Sequence, residues 1–378
     1  MKKILIIAGE ASGDIHGANL VRSIRTKTKN VKFYGLGGQK MEEAGVKLYY
    51  NLATVAVLGL FEVLKKCSFF KKIFSDTVKK LDEEKFDCVI LIDYPGFNLR
   101  FAKQVKRRNI PLLYYISPQV WAWGKGRIKL IKKVVNKMVV FFKFEEEFYK
   151  KAGMDVAFVG HPLLDIVKPD LSREEAYKYF SLTSNKKTIA ILPGSRQFEV
   201  KLLLPIVKKA AELIKKEYPD TQFLVAKLPS LKMDIFDEVL KDNKAGIRVV
   251  ENKTYDVISV ADAVIVKSGT STLETAILQK PMVIIYKVSF LTYFITKIII
   301  RLPYLGLVNV IAGKMVVPEF LQYDARPDLI AKEVLNLLKD PKAADEMRRS
   351  LNAVKTNLGE SGANERAAAA VLDFISKN

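Results

Sequence analysis

The sequence predicts an α/β protein of two doubly wound domains in tandem, and three observations carry that expectation. Short apolar runs recur along the chain with helical stretches between them, as in βαβ units around a buried parallel sheet. The runs fall into two series on either side of a polar stretch, 164–187, that holds Pro169, Ser172 and Asn185. The chain, 378 residues long and 49% apolar, also exceeds the size at which a single core stops growing.

The first series reads ILIIA at 4–8, VKFYGLG at 31–37, CVILID at 88–93, PLLYYIS at 111–117, KMVVFF at 137–142 and VAFVG at 156–160. The second reads TIAILPG at 188–194, QFLVAKL at 222–228, GIRVVE at 246–251, AVIVKSG at 263–269 and PMVIIYK at 281–287. Apolar text of this length, without polar alternation, fits strands covered on both faces. The residues that follow such strands are the ones to read for chemistry, because ligands of open parallel sheets bind beyond the carboxyl ends of the strands.

Five loops stand out on that basis. GEASGDIHG at 9–17 enters a helix as phosphate-binding loops do, yet carries Glu10 and Asp14, which would repel a phosphate. LIDYPGFN at 91–98 ends a strand on Asp93, placed for proton transfer or for capping the next helix. ISPQVWAWGKGR at 116–127 holds both tryptophans, Trp121 and Trp123, which either line a substrate wall or pack the domain edge. ILPGSRQFEV at 191–200 offers Gly194 for close backbone approach, Ser195 as a donor and Arg196 as a fork for phosphate oxygens. AVIVKSGTSTLETAIL at 263–278 repeats the arrangement with Ser268, Gly269, Thr270, Ser271 and Thr272 before a helix whose Glu274 can accept both hydroxyls of a ribose. Two such loops on one domain describe a sugar-nucleotide pocket.

Other classes of chemistry find no support. The two histidines, His16 and His161, have no cluster of Cys or acidic residues around them, so a catalytic metal is not expected, and His161 reads as structural. Cys67 and Cys88 lack disulfide or zinc spacing, which fits a reducing cytoplasm. The five-residue apolar run at the start is too short for the core of a signal peptide. The excess of 62 basic over 41 acidic residues gives a formal charge of +21 and an attraction to nucleic acid, acidic lipid or a phosphorylated substrate. No nucleic-acid-binding pattern accompanies it.

Two segments bear on lipid. LFEVLKKCSFFKKIF at 60–74, read as a helix, gathers Leu60, Val63, Leu64, Cys67, Phe70 and Phe74 within about 120°, with Lys65 and Lys72 opposite. The stretch 286–313 is apolar but interrupted by Lys297, Arg301 and Pro303, so it lacks the roughly 20 uninterrupted residues of a spanning helix. Both fit either core-facing helices or contact with a bilayer surface.

Taken together, GEASGDIHG, IDYPGFN, ISPQVWAW, GHPLLD, PGSRQFEV, SGTSTLETA and VVPEFLQ resemble the motif series of the lipid-A-disaccharide synthases, in order and over nearly the whole chain. The resemblance implies the GT-B fold, two Rossmann-like domains facing one another across a cleft. It implies an acceptor domain at 1–167, a UDP-sugar domain at 168–345, and terminal helices at 346–378 that can return to the first domain. The implied reaction is inverting and metal-independent, needs no cofactor, and joins UDP-2,3-diacylglucosamine to 2,3-diacylglucosamine 1-phosphate with release of UDP. Asp93 becomes the candidate base, with Glu10 its rival or a positioner of the acceptor. Gly194, Ser195, Arg196, the 268–272 loop and Glu274 become the UDP site, while Ser12, Asp14, Asn309 and Gln322 are expected at the acceptor or the cleft. Gly13 and Gly17 are expected to admit the substrate or the opposing domain. Acylated substrates imply an enzyme at the inner face of the inner membrane, docked peripherally on anionic lipid, and a homodimer with exchanged C-terminal helices stays open. Two other readings remain: another GT-B enzyme, either a lipid-linked aminosugar transferase or a UDP-sugar 2-epimerase, and a non-enzymatic basic protein bound to membrane or nucleic acid.

Overall fold

A computed structural model describes residues 1–52, 67–121, 125–288 and 303–378. The chain forms two compact units, Met1–Pro162 with Gly359–Asn378, and Leu163–Leu358. The expected limit at 167 thus falls inside the second unit. The last crossing comes later than expected: the Pro341–Asn357 helix stays with the second unit, and only the final twenty residues belong to the first.

The first unit holds a seven-stranded parallel sheet in the order β3-β2-β1-β4-β5-β6-β7. Its strands are β1 (Lys2–Ala8), β2 (Val31–Gly37), β3 (Lys47–Asn51), β4 (Cys88–Ile92), β5 (Leu112–Tyr115), β6 (Lys137–Val140) and β7 (Val156–Phe158). Alternation sorts β1 and β4 between two cores. Ile4, Ile6, Cys88 and Ile90 face one side, under the Ala11–Lys27 and Ala363–Lys377 helices. Leu5, Ile7, Val89 and Leu91 face the other, under the Cys67–Glu83 and Pro95–Arg107 helices. The C-terminal helix adds Ala367, Ala368, Val371, Phe374 and Ile375 to the first of these cores. Each of the larger side chains contributes about 1.5–3 kcal/mol by leaving water, which is what draws the end of the chain back to this unit.

The second unit holds a six-stranded parallel sheet in the order β10-β9-β8-β11-β12-β13. Its strands are β8 (Lys187–Leu192), β9 (Thr221–Lys227), β10 (Ile247–Glu251), β11 (Ala263–Lys267), β12 (Met282–Tyr286) and β13 (Glu319–Leu321). Each sheet has one topological switch point, between β1 and β4 in the first and between β8 and β11 in the second. The two phosphate-type loops of the sequence leave β8 and β11, and the two acid-bearing loops leave β1 and β4.

Of the basic helix expected over 60–74, residues from Cys67 onward lie in the Cys67–Glu83 helix; Leu60, Val63, Leu64 and Lys65 lie outside the described residues. Phe70 and Phe74 pack on the core, as a core-facing helix requires, while Phe69 remains exposed. Lys297 and Arg301 of the second apolar segment are likewise outside the described residues. Among the described residues no helix is long and apolar enough to cross a membrane.

Candidate functional site

At the first switch point Ala8 pairs with Ile92, so the loops carrying Glu10 and Asp93 leave neighbouring strand ends. Asp93 and Tyr94 both adopt left-handed backbone, with φ of 43° and 46°. Such residues cost on the order of 1–3 kcal/mol each and persist only where the surroundings hold them. Here Asn98 donates its side-chain amide to the carbonyls of Ile92 at 3.1 Å and Asp93 at 2.8 Å, and the Tyr114 hydroxyl donates to the Asp93 carbonyl at 2.5 Å. These bonds hold the backbone of Asp93, whose side chain is half-buried. Burial first, and the charge of Glu10 second, push its pKa up to about 6. Such a group is largely ionised at neutral pH yet is a stronger proton acceptor than an ordinary aspartate. Glu10 is exposed at the start of the Ala11–Lys27 helix and makes no side-chain cap, and Ser12 is exposed in the first turn.

The loop after β5 is anchored by a residue the sequence reading passed over. Glu145 accepts hydrogen bonds from the Ser117 hydroxyl at 2.6 Å and the Trp121 indole at 3.0 Å, and its burial pushes its pKa up to about 7. Trp121 also meets Phe144 edge-on at 4.9 Å between ring centres, so it packs within the unit. Trp123 lies outside the described residues.

At the second switch point Leu192 pairs with Val266, and the loops beyond them open a cavity of about 670 Å³ lined by Ser195, Arg196, Lys267, Thr270, Tyr255 and Glu274 among others. The expectation that the backbone amides of the PGSR loop grip an anion needs correction. The N–H groups of Ser195 and Arg196 both donate to Oε2 of Glu199, at 2.9 and 3.2 Å, because a carboxylate in the first turn of the Gln197–Glu217 helix can fold back onto the orphan donors. Gly194, at φ 132°, is required there: a Cβ would lie 2.6 Å from the folded-back Glu199 carboxylate. What the loop presents to a ligand is the Ser195 hydroxyl and the Arg196 guanidinium, both exposed in the cavity wall.

The second loop divides its hydroxyls between structure and cavity. Buried Thr272 donates its hydroxyl to the Gly269 carbonyl at 2.7 Å, and buried Ser268 to the Leu305 carbonyl at 3.4 Å. Gly269, Thr270 and Ser271 line the cavity at the start of the Thr270–Ile277 helix, which has no side-chain cap. Glu274 accepts from the Tyr255 hydroxyl at 3.1 Å and from Ser271, and burial holds its pKa above the ordinary value. Tyr255 carried no signal in the sequence beyond lying after β10.

A sequence profile described as lipid-A-disaccharide synthetase matches residues 4–374. The chain is 44% identical over 378 residues to the lipid-A-disaccharide synthase of Syntrophus aciditrophicus, covering 100% of this chain and 99% of that protein. It is 43% identical over 375 residues to that of Geobacter sulfurreducens, covering 99% and 98%. The chain belongs to the lipid-A-disaccharide synthase family. As a member it is a glycosyltransferase that joins UDP-2,3-diacylglucosamine to 2,3-diacylglucosamine 1-phosphate, releasing UDP and the β-1,6-linked disaccharide 1-phosphate that leads to lipid A. The fold is shared more widely. A putative UDP-N-acetylglucosamine 2-epimerase from Listeria monocytogenes aligns with a TM-score of 0.65 at 14% identity, covering 100% of this chain and 98% of that one. A glycosyltransferase from Rickettsia africae aligns at 0.60 and 14%, covering 100% and 99%. These likenesses establish the GT-B type of paired α/β domains and nothing finer about chemistry.

Several residues that the synthase motifs brought forward are engaged elsewhere. Asp14 is buried, and its carboxylate accepts from the N–H groups of Gly38, Lys40 and Met41 at 2.7, 3.0 and 3.0 Å. It caps the Gln39–Glu43 helix with both oxygens engaged and is buried away from a ligand. Gly17 admits Met41 and Ile92 of its own unit, whose side chains would lie 2.8 and 3.0 Å from a Cβ, and Gly13 is buried against Ala8. Asn309 is fully buried; its amide donates to the Val317 carbonyl and to Glu319, each at 2.7 Å, and its oxygen accepts from Val316 and Val317. Gln322 pairs both ways with the backbone of Val288, at 3.1 and 2.8 Å. All three polar side chains tie loops together inside their units. His161 is buried and His16 half-buried, both beside the Phe141 ring; desolvation lowers the pKa of His16 to about 4 and, with the charge of His16 as a second cause, that of His161 to about 3, so both are neutral at physiological pH. Among the described residues no group of three His, Cys, Asp or Glu side chains is arranged to hold a metal ion.

Proposed function

We propose that the cavity of the second unit binds the UDP moiety of the donor, and that Asp93 of the first unit is the base that takes the proton of the acceptor 6-hydroxyl. The observation that carries this reading is Asp93 itself: a carboxyl with a raised pKa, on two consecutive left-handed residues, at the switch point of a parallel sheet. Arg196 and the donors at the start of the Thr270–Ile277 helix offset the charge that grows on the departing diphosphate. Glu274 accepts from ribose hydroxyls, with Tyr255 orienting it. Glu10 raises the basicity of Asp93 and stands near the acceptor hydroxyl.

Purified protein supplied with both acylated substrates is expected to release UDP without added metal. Asp93→Ala and Arg196→Ala each reduce turnover severely in this reading, and near-normal turnover in either defeats it. Omitting the acceptor separates the transferase from an epimerase, because an epimerase consumes its UDP-sugar alone.

The enzyme works at the inner face of the inner membrane in this reading, docked by charge and apolar contact. The support is the net charge of +21 and the exposed Phe69 beside exposed Lys71 and Lys72 on the Cys67–Glu83 helix. Sedimentation with phosphatidylglycerol vesicles, but not phosphatidylcholine vesicles, is the expected outcome, weakened by salt and by Phe69→Ser.

A further inference from the structure

The backbone amides that a phosphate would use at the PGSR loop are occupied by Glu199, and the same carboxylate holds a cation. Oε1 of Glu199 pairs with Nζ of Lys267 at 2.9 Å, and the pair is largely buried, with side chains 7% and 19% exposed. Lys267 is the last residue of β11, so Glu199 bridges the two loops of the switch point: Oε2 ties down the first and Oε1 grips the base of the second. The ammonium lies directly below Gly269, where a Cβ would be 3.6 Å from Nζ, and over the ring of Tyr286 at 5.6 Å.

A helix N-terminus carries roughly half a positive charge and disfavours a neighbouring cation, and Arg196 lines the same cavity wall. Glu199 is the acid paired with Lys267, and its Oε2 is already shared with two N–H groups. Of the other acids in the cavity wall, Asp170 and Asp256 pair with Lys253, and Glu274 accepts from Tyr255. Arg196 and Lys267 are therefore the cations that the two loops themselves present to a ligand. An ammonium has three donors; the Glu199 ion pair engages one, and Lys267 contributes to the cavity wall.

We infer that Lys267, set in position by Glu199, is a further residue that binds the diphosphate of the donor and stabilises it as it leaves. The inference rests on the reading of this cavity as the UDP site and adds a specific role to it. Glu199 is in this account a positioning residue: it denies the loop amides to the phosphate and presents a lysine in their place. The diphosphate is then held by side-chain cations, Arg196 from one loop and Lys267 from the other, together with the start of the Thr270–Ile277 helix.

The test compares UDP with uridine, which lacks the phosphates, by calorimetry on the full-length protein and its variants. Lys267→Met is expected to raise the Kd for UDP by about tenfold or more while changing that for uridine less than about twofold. Lys267→Arg, which keeps the charge, is expected to restore most of the UDP affinity. Equal weakening of UDP and uridine by Lys267→Met would mean that the residue only supports the loops, and overturns the inference. So does unchanged UDP affinity in Lys267→Met when Arg196→Ala weakens UDP in the same assay. Absence of UDP binding by the unsubstituted protein is a different result, which overturns the assignment of the cavity itself. Lys267→Met melts lower than the parent protein without ligand, because Glu199 loses its buried partner; a smaller further gain in melting temperature on addition of UDP than the parent shows gives an independent reading in the same direction.

Discussion

The two switch points have the same topology and opposite electrostatics. In the first unit the loops after β1 and β4 carry Glu10 and Asp93, and burial together with the charge of Glu10 makes Asp93 more basic. In the second unit the strand ends and loops of β8 and β11 carry Arg196 and Lys267, and the acid that follows Arg196, Glu199, is folded inward to accept from the backbone amides and hold the lysine. A doubly wound sheet fixes where a ligand can bind, namely beyond the strand ends where the order reverses. It leaves to a handful of loop residues whether that place attracts a proton or an anion. Glycine-rich entry into a helix is common to both units and so does not discriminate between them; the charge of the residues around it does.

If that contrast governs the chemistry, Asp93→Asn gives the largest effect, a fall of about 10²–10⁴ in kcat with the affinity for UDP unchanged. Loss of UDP binding in this variant would erase the distinction between the units. Arg196→Ala is next: the Kd for UDP rises on the order of 10- to 100-fold, while the pH dependence of kcat keeps its shape because the base is untouched.

Asn309→Ala separates structural polar residues from functional ones. Removing a fully buried amide with four hydrogen-bond contacts destabilises the second unit by about 2–4 kcal/mol, read by denaturant melting. The protein that remains folded is expected to bind UDP normally, and a selective loss of UDP affinity would return Asn309 to the site.

The smallest effect is a shift in pH profile. With Asp93 as the proposed base, catalysis needs it ionised, so activity is expected to be retained above its pKa of about 6 and lost as the pH falls through it. Glu10 raises that pKa through its negative charge, so Glu10→Gln lowers it and moves the acid limb of the kcat profile to lower pH, by up to about one unit. An unmoved limb would show that the two acids do not sense one another.

The apolar runs were legible because strands buried on both faces must be apolar throughout, and ILIIA, CVILI and AVIV have no other place to go. Two strands escaped that reading, β3 and β13, both at sheet edges where half-buried residues such as Tyr49 and Glu319 carry no apolar signature. The places of Asp93, Arg196 and Glu274 in the fold were legible as well, since each lies where a strand gives way to a helix in a recognisable loop. Glu199 was in view as part of the PGSRQFEV motif, but its destination was not: one residue along the same helix turn it would have faced solvent, as Phe198 does.

By itself, then, the sequence determined the two parallel sheets, their loops and the family, because strand burial and loop composition are local properties that survive in one dimension. Only the tertiary structure decided which polar side chains are free for a ligand. Asp14 finds its partners 24 to 27 residues away, Glu199 finds Lys267 across a neighbouring strand end, and Tyr255 reaches Glu274 from another loop. A buried polar group must be satisfied by whatever the fold brings within about 3 Å, and that neighbourhood exists only once the sheets have formed and the chain has returned upon itself.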